Sequence, residues 1–71
     1  MTVKDIIDTC QNGTKIEIHE TEYFAEGDLW SIVFDNTVGQ FAKCNYYDYE
    51  IDCLRIINNT LVMDIHSFRN D

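Results

Sequence analysis

Apolar residues recur at Val3, Ile6, Ile7 and Cys10, the i, i+3, i+4, i+7 stripe of an α-helix, with Lys4, Asp5 and Asp8 off the stripe. Thr2 precedes the first apolar residue and Asp5 follows three positions later, a capping-box arrangement that also places acids at the positive end of the helix dipole. Gly13 stands where the stripe ends, in the place of a left-handed C-cap. The spacing predicts a helix from Val3 to about Gln11. So short a helix is not stable alone and must dock on something.

The period then changes from 3.6 to 2. In Thr14–Glu20, Ile16 and Ile18 fall on one face and Lys15, Glu17 and His19 on the other. Leu29–Asp35 is rich in β-branched and aromatic residues, with Trp30, Ile32 and Phe34 expected on one face and Leu29, Ser31 and Val33 on the other. The segment 21–28 either extends both strands or forms a loop, with a turn at Gly27-Asp28. The last third reads as a hairpin: a strand over 50–57, a turn at Asn58-Asn59, and a return strand over 60–66 with Leu61, Met63 and Ile65 inward. The strand over 50–57 does not alternate cleanly, which points to a bulge or to burial on both faces. Asn36–Gln40 reads as a turn, and Gln40–Tyr49 as a helical turn or an irregular stretch. The expected fold is α+β: one N-terminal helix packed on a small, largely antiparallel four-stranded sheet.

At 71 residues the chain is a single domain, 1–71, too small for a doubly wound nucleotide-binding fold or a substrate-enclosing barrel. Thirteen acids against five bases give a net charge of −8. The bases, Lys4, Lys15, Lys43, Arg55 and Arg69, are scattered rather than clustered, so direct binding to nucleic acid or to an anionic membrane is not expected. No apolar run reaches the ~20 residues of a membrane span, and acids interrupt the N-terminal segment where a signal peptide is apolar. Three widely spaced cysteines, Cys10, Cys44 and Cys53, read as reduced, mostly buried thiols. A cytoplasmic protein is expected.

The candidate chemistry is sparse. His19, His66 and the cysteines lack the paired spacing of a zinc site, no nucleophile signature is present, and Asp48, Glu50 and Asp52 alternate as a solvated strand face would. Neither a metal, nor a cofactor, nor a catalytic residue is expected. Two features point to a partner. From Ile16 to Ala42 there are acids, Glu20, Glu22, Glu26 and Asp28 among them, and neither Lys nor Arg. The run Tyr46-Tyr47-Asp48-Tyr49-Glu50 puts three tyrosines beside two acids, and tyrosine is favoured at interfaces.

The ordering of Thr2-Val3-Lys4-Asp5-Ile6-Ile7-Asp8, Thr14-Lys15-Ile16-Glu17-Ile18, Tyr47-Asp48-Tyr49-Glu50-Ile51 and Leu61-Val62-Met63-Asp64-Ile65 resembles a group of small uncharacterised proteins from phages, prophages and mobile elements of Gram-positive bacteria. The resemblance covers both ends of the chain and misses 20–45, where this chain also lacks a proline. It implies a cytoplasmic accessory protein acting on a host or phage protein, and no reaction. The expected function is a non-enzymatic protein-interaction module that meets a basic protein surface through its acidic, tyrosine-rich face. Its sharper form is an inhibitor that mimics nucleic-acid charge. The alternative is a structural or assembly protein working as a homodimer through a sheet edge.

Overall fold

The computed structural model describes residues 1–41 and 46–68. The fold is α+β, with one short N-terminal helix and a four-stranded mixed sheet. Helix α1 (Val3–Thr9) is followed by β1 (Lys15–Phe24), β2 (Gly27–Thr37), a 3-10 turn at Val38–Gln40, β3 (Cys53–Ile57) and β4 (Thr60–Phe68). The sheet order is β2-β1-β4-β3. β1–β2 and β3–β4 are antiparallel hairpins, and the central β1–β4 pair is parallel. Part of the expected helical turn or irregular stretch between Gln40 and Tyr49, at 42–45, lies outside the described residues, as does Cys44.

Helix α1 begins as the capping box predicts. The Thr2 N–H donates to the Asp5 carboxylate at 2.9 Å, and the Thr2 hydroxyl accepts from the Asp5 N–H. The bond from the Thr2 backbone N–H, and after it the Thr2 hydroxyl, hold the Asp5 carboxyl below its usual range. The hydrogen bond to Asp8, one turn on, raises the Lys4 ammonium. The first orphan N–H groups of the helix are also satisfied: Val3 donates to the Tyr49 carbonyl and Lys4 to that of Tyr47, both at 3.0 Å.

The other end differs from expectation. The helix stops at Thr9, with Cys10 extended at φ −88° and ψ 153°, and Gly13 is not left-handed. The carbonyls beyond the helix have other donors, Thr14 N–H on Gln11 at 3.0 Å and Gly39 N–H on Asn12 at 2.8 Å. The chain therefore turns into β1 instead of adding another helical turn. Gly39 suits that contact, because a Cβ there would stand 3.2 Å from Asn12 Cβ and its carbonyl oxygen, close enough that Asn12 would have to shift.

The core lies between α1 and one face of the sheet. Val3 and Ile7 meet Ile16, Ile18, Met63 and Ile65, and Val38 and Phe41 close the end. Ile6 and Cys10 are half-buried against the same cluster, so the predicted stripe faces the sheet. Cys53, expected to be buried, is exposed. On β4, Val62 is also buried, on the opposite face between Glu17 and Arg55. Burial on both faces marks a central strand.

Of the two alternatives for 21–28 the extension of both strands holds, while the turn position, the alternation of 29–35 and the strand over 50–57 are corrected. The segment 21–28 extends both strands, so the hairpin turn is Ala25-Glu26, and Gly27 at φ 145° takes a backbone that side-chain-bearing residues rarely adopt. A bulge sits between β1 and β2, where Ile18 pairs with Phe34 and His19 with Ile32. The extra residue, Val33, breaks the expected alternation. Phe34 and Val33 both reach the core, while Trp30 and Ile32 fall on the opposite face with His19 and Thr21. The strand expected over 50–57 is shorter and needs neither bulge nor two-sided burial. As an edge strand with a regular register, β3 is exposed throughout. The Asn58-Asn59 turn is as predicted, with both φ positive, at 51° and 61°.

Ile7 fills the gap between α1 and the two central strands. Ile7→Ala is expected to lower the unfolding free energy by about 2–5 kcal/mol, the range for deleting a buried aliphatic side chain. Chemical denaturation checks it, and an unchanged midpoint would contradict the docking of α1 described above.

Candidate functional site

All the non-strand elements pack on one face of the sheet, and the other face carries the ionic side chains. His19 Nε2 lies 2.8 Å from Glu17 Oε1, and its Nδ1 is 3.7 Å from Asp64 Oδ1. Arg55 donates two bonds to Asp64, from Nε at 3.0 Å and Nη2 at 2.9 Å. The Trp30 ring stands edge-on to His19 with centroids 5.1 Å apart. Towards the hairpin end, His66 Nδ1 lies 2.6 Å from Asp52 Oδ2, and the His66 ring meets Tyr23 and Phe68, which stack on each other. His19 and Asp64, and Tyr23 and Phe68, are direct neighbours in the β1–β4 register, Arg55–Asp64 and His19–Trp30 reach diagonally across strands, and Glu17–His19 and His66–Phe68 are neighbours along one strand. The pairs that cross between strands stabilise and align them. Among the described residues no group of three His, Cys, Asp or Glu is placed to hold a metal. The open depressions lie elsewhere, at the hairpin end (Phe24, Glu26, Gly27, Asp28, Leu29) and beside Lys15, Asp35 and Thr60.

The structure divides the acidic and tyrosine-rich candidates. Glu20 is a correction: at 1% exposure it is buried on the helix side of the sheet and accepts a 2.8 Å bond from the Ser67 hydroxyl, so a partner cannot reach it. It belongs to the inward face of β1 with Ile16 and Ile18, a face the period of two assigns to it. Glu22 is half-buried. Glu26 and Asp28 are exposed and flank the hairpin turn.

Tyr46, Tyr47 and Tyr49 are half-buried against the core, with Tyr47 edge-on to Phe41 at 5.1 Å and Tyr46 edge-on to Tyr49 at 5.4 Å. Their segment walls the core and caps α1. Asp48 and Glu50 are exposed, and Glu50 accepts from the N-terminal ammonium at 3.1 Å. Of the candidate acids, the exposed ones therefore stand in two places, Glu26 and Asp28 at the hairpin end and Asp48 and Glu50 near the helix N-terminus.

Sequence reading missed the residues that lie beside Glu26 and Asp28. Leu29, Trp30 and Ile32 are exposed, Trp30 at 57%, along β2, an edge strand of 11 residues. Edge strands are commonly blunted by lysine, proline or short length. Between Gly27 and Thr37 this one has neither lysine nor proline, which was the signal available in the sequence.

The two kinds of glutamate should behave differently. Glu20→Ala removes a buried hydrogen-bond acceptor and is expected to cost about 1–3 kcal/mol. Glu26→Gln, at an exposed turn, is expected to leave the thermal midpoint where it was. Equal effects of the two changes in thermal unfolding would contradict this division.

No protein-family model matches this chain, and no curated protein or solved structure is significantly similar to it.

Proposed function

We propose that this chain is a non-enzymatic protein-interaction module that presents the β2 edge and the acidic hairpin end to a basic protein surface. The observation that carries this reading is the arrangement of β2. An edge strand of 11 residues, paired with β1 on one side and with no strand on the other among the described residues, exposes Leu29, Trp30 and Ile32 beside Glu26 and Asp28, in a stretch without a cation. Of the three described Lys and Arg side chains, Lys4 is paired with Asp8 and Arg55 with Asp64, and Lys15 stands beside Asp35 at the far end of β2, which leaves acids dominating the surface field at the hairpin end.

The resemblance of the chain ends to small phage and mobile-element proteins supports a host protein as the target. Among the described residues no helix is long and apolar enough to cross a membrane. The free thiols of Cys10 and Cys53 support a cytoplasmic setting.

A second reading, a homodimer through a sheet edge, is favoured by β3, where Ile56 is 77% exposed beside Leu54 and Ile57. The charge of −8 on each copy opposes it.

Association with a lysine-rich polypeptide, followed by stopped flow, tests the first reading. The rate is expected to fall steeply as salt rises to physiological strength, where screening acts beyond ~8 Å. Glu26→Gln with Asp28→Asn is expected to slow it several-fold and flatten that dependence, with folding unchanged. A rate indifferent to both changes would contradict the reading. Light scattering of the chain alone at twice its 8.3 kDa mass would favour the homodimer.

A further inference from the structure

We infer that the occupant of β2 is an extended, lysine- or arginine-bearing segment of another protein, which adds to the sheet as a fifth strand along Gly27–Ile32. This rests on the interaction-module reading and specifies its mode of contact.

The backbone supplies the first part of the argument. Among the described residues β2 pairs with β1 on one side only, so its outer row of N–H and C=O groups is open to another strand. From Gly27 to Ile32 the register with β1 is unbroken, and the bulge begins after Ile32. An added strand therefore finds a regular template on the hairpin side of the bulge and a twisted one beyond it.

The side chains supply the second part. Strand addition places alternate residues of the newcomer on opposite faces. On the face of His19 and Thr21 its neighbours are Asp28, Trp30 and Ile32, and on the helix side they include Leu29. Trp30 is held edge-on by His19, so an aromatic platform is already oriented next to the vacant row. Asp28 and Glu26 lie at the open end, and Asp35 beyond the bulge. With neither Lys nor Arg from Ile16 to Ala42, a cationic side chain of the occupant meets attraction and an anionic one repulsion. A second copy would bring an identical acidic β2, and like charges across paired strands are unfavourable. Charge thus selects a basic partner over self-pairing.

The probe is a short end-blocked peptide of alternating lysine and valine. Its controls are a version interrupted by prolines and one with glutamate in place of lysine. Trp30 is the single tryptophan, so its fluorescence reports directly from the strand. The lysine–valine peptide is expected to shift Trp30 emission and to give through-space NMR contacts between its amides and those of β2, while the two control peptides do neither. Asp28→Lys is expected to weaken binding roughly tenfold or more, equivalent to ~1.4 kcal/mol. The proline-interrupted peptide tests strand pairing on the unaltered chain, so the result does not hang on a variant that folds.

Binding that leaves Trp30 and β2 unaffected would overturn the fifth strand while keeping an acidic interaction module. Concentration-dependent self-association through β2, abolished by Ile32→Lys, would overturn the choice of occupant. No binding of any lysine-bearing probe would overturn both this inference and the reading beneath it.

Discussion

The parallel pairing of β1 with β4 is the constraint on which the rest of the molecule depends. It joins two antiparallel hairpins that have no other sheet contact with each other. It also sets Ile16 and Ile18 level with Leu61 and Met63, forming the floor on which Val3 and Ile7 pack. Parallel neighbours cannot be linked by a tight turn. The chain between β2 and β3 must therefore travel, and residues 46–51 use that path to wall the core with tyrosines and to accept the first N–H groups of α1. Helix, tyrosine segment and sheet are thus mutually supporting in a domain too small for any of them to stand alone.

The same pairing decides what is left exposed. With β1 and β4 in the centre, β2 and β3 become edges. The face away from α1 is held by the Glu17, His19, Asp64 and Arg55 pairs and by the stacked Tyr23 and Phe68. The Asp64–Arg55 and Tyr23–Phe68 contacts cross between strands, which gives that face an aligning role. Among the described residues the outer row of β2 has no such partner. Interaction potential is therefore concentrated there, next to the acids of the hairpin turn.

Local features of the fold were legible in the sequence because their causes are local. The helical stripe, the Thr2–Asp5 capping box, the alternation of Ile16 and Ile18 and the positive-φ pair Asn58-Asn59 all depend on neighbours a few residues apart. The order of strands was not legible, since it depends on which hairpin docks beside which. One trace of it did exist: Val62 and Met63 are consecutive and both buried, as a strand covered on two faces requires. The bulge at Val33 was hidden for the same reason, and it moved Trp30 and Ile32 off the face of Phe34. For the candidate site, counting acids found Glu26 and Asp28 but did not separate them from Glu20, although the period of two that puts Ile16 and Ile18 inward carries Glu20 with them.

Native-state amide hydrogen exchange on the chain alone tests the central claim most directly. If the β1–β4 pair is the last structure to open and the outer row of β2 is free, the slowest amides will be those of Ile16–Glu20 and Leu61–Ile65, and the outward amides of β2 will exchange fast. Outward amides of β2 as slow as those of the central pair would contradict the account, because the edge would then already be covered.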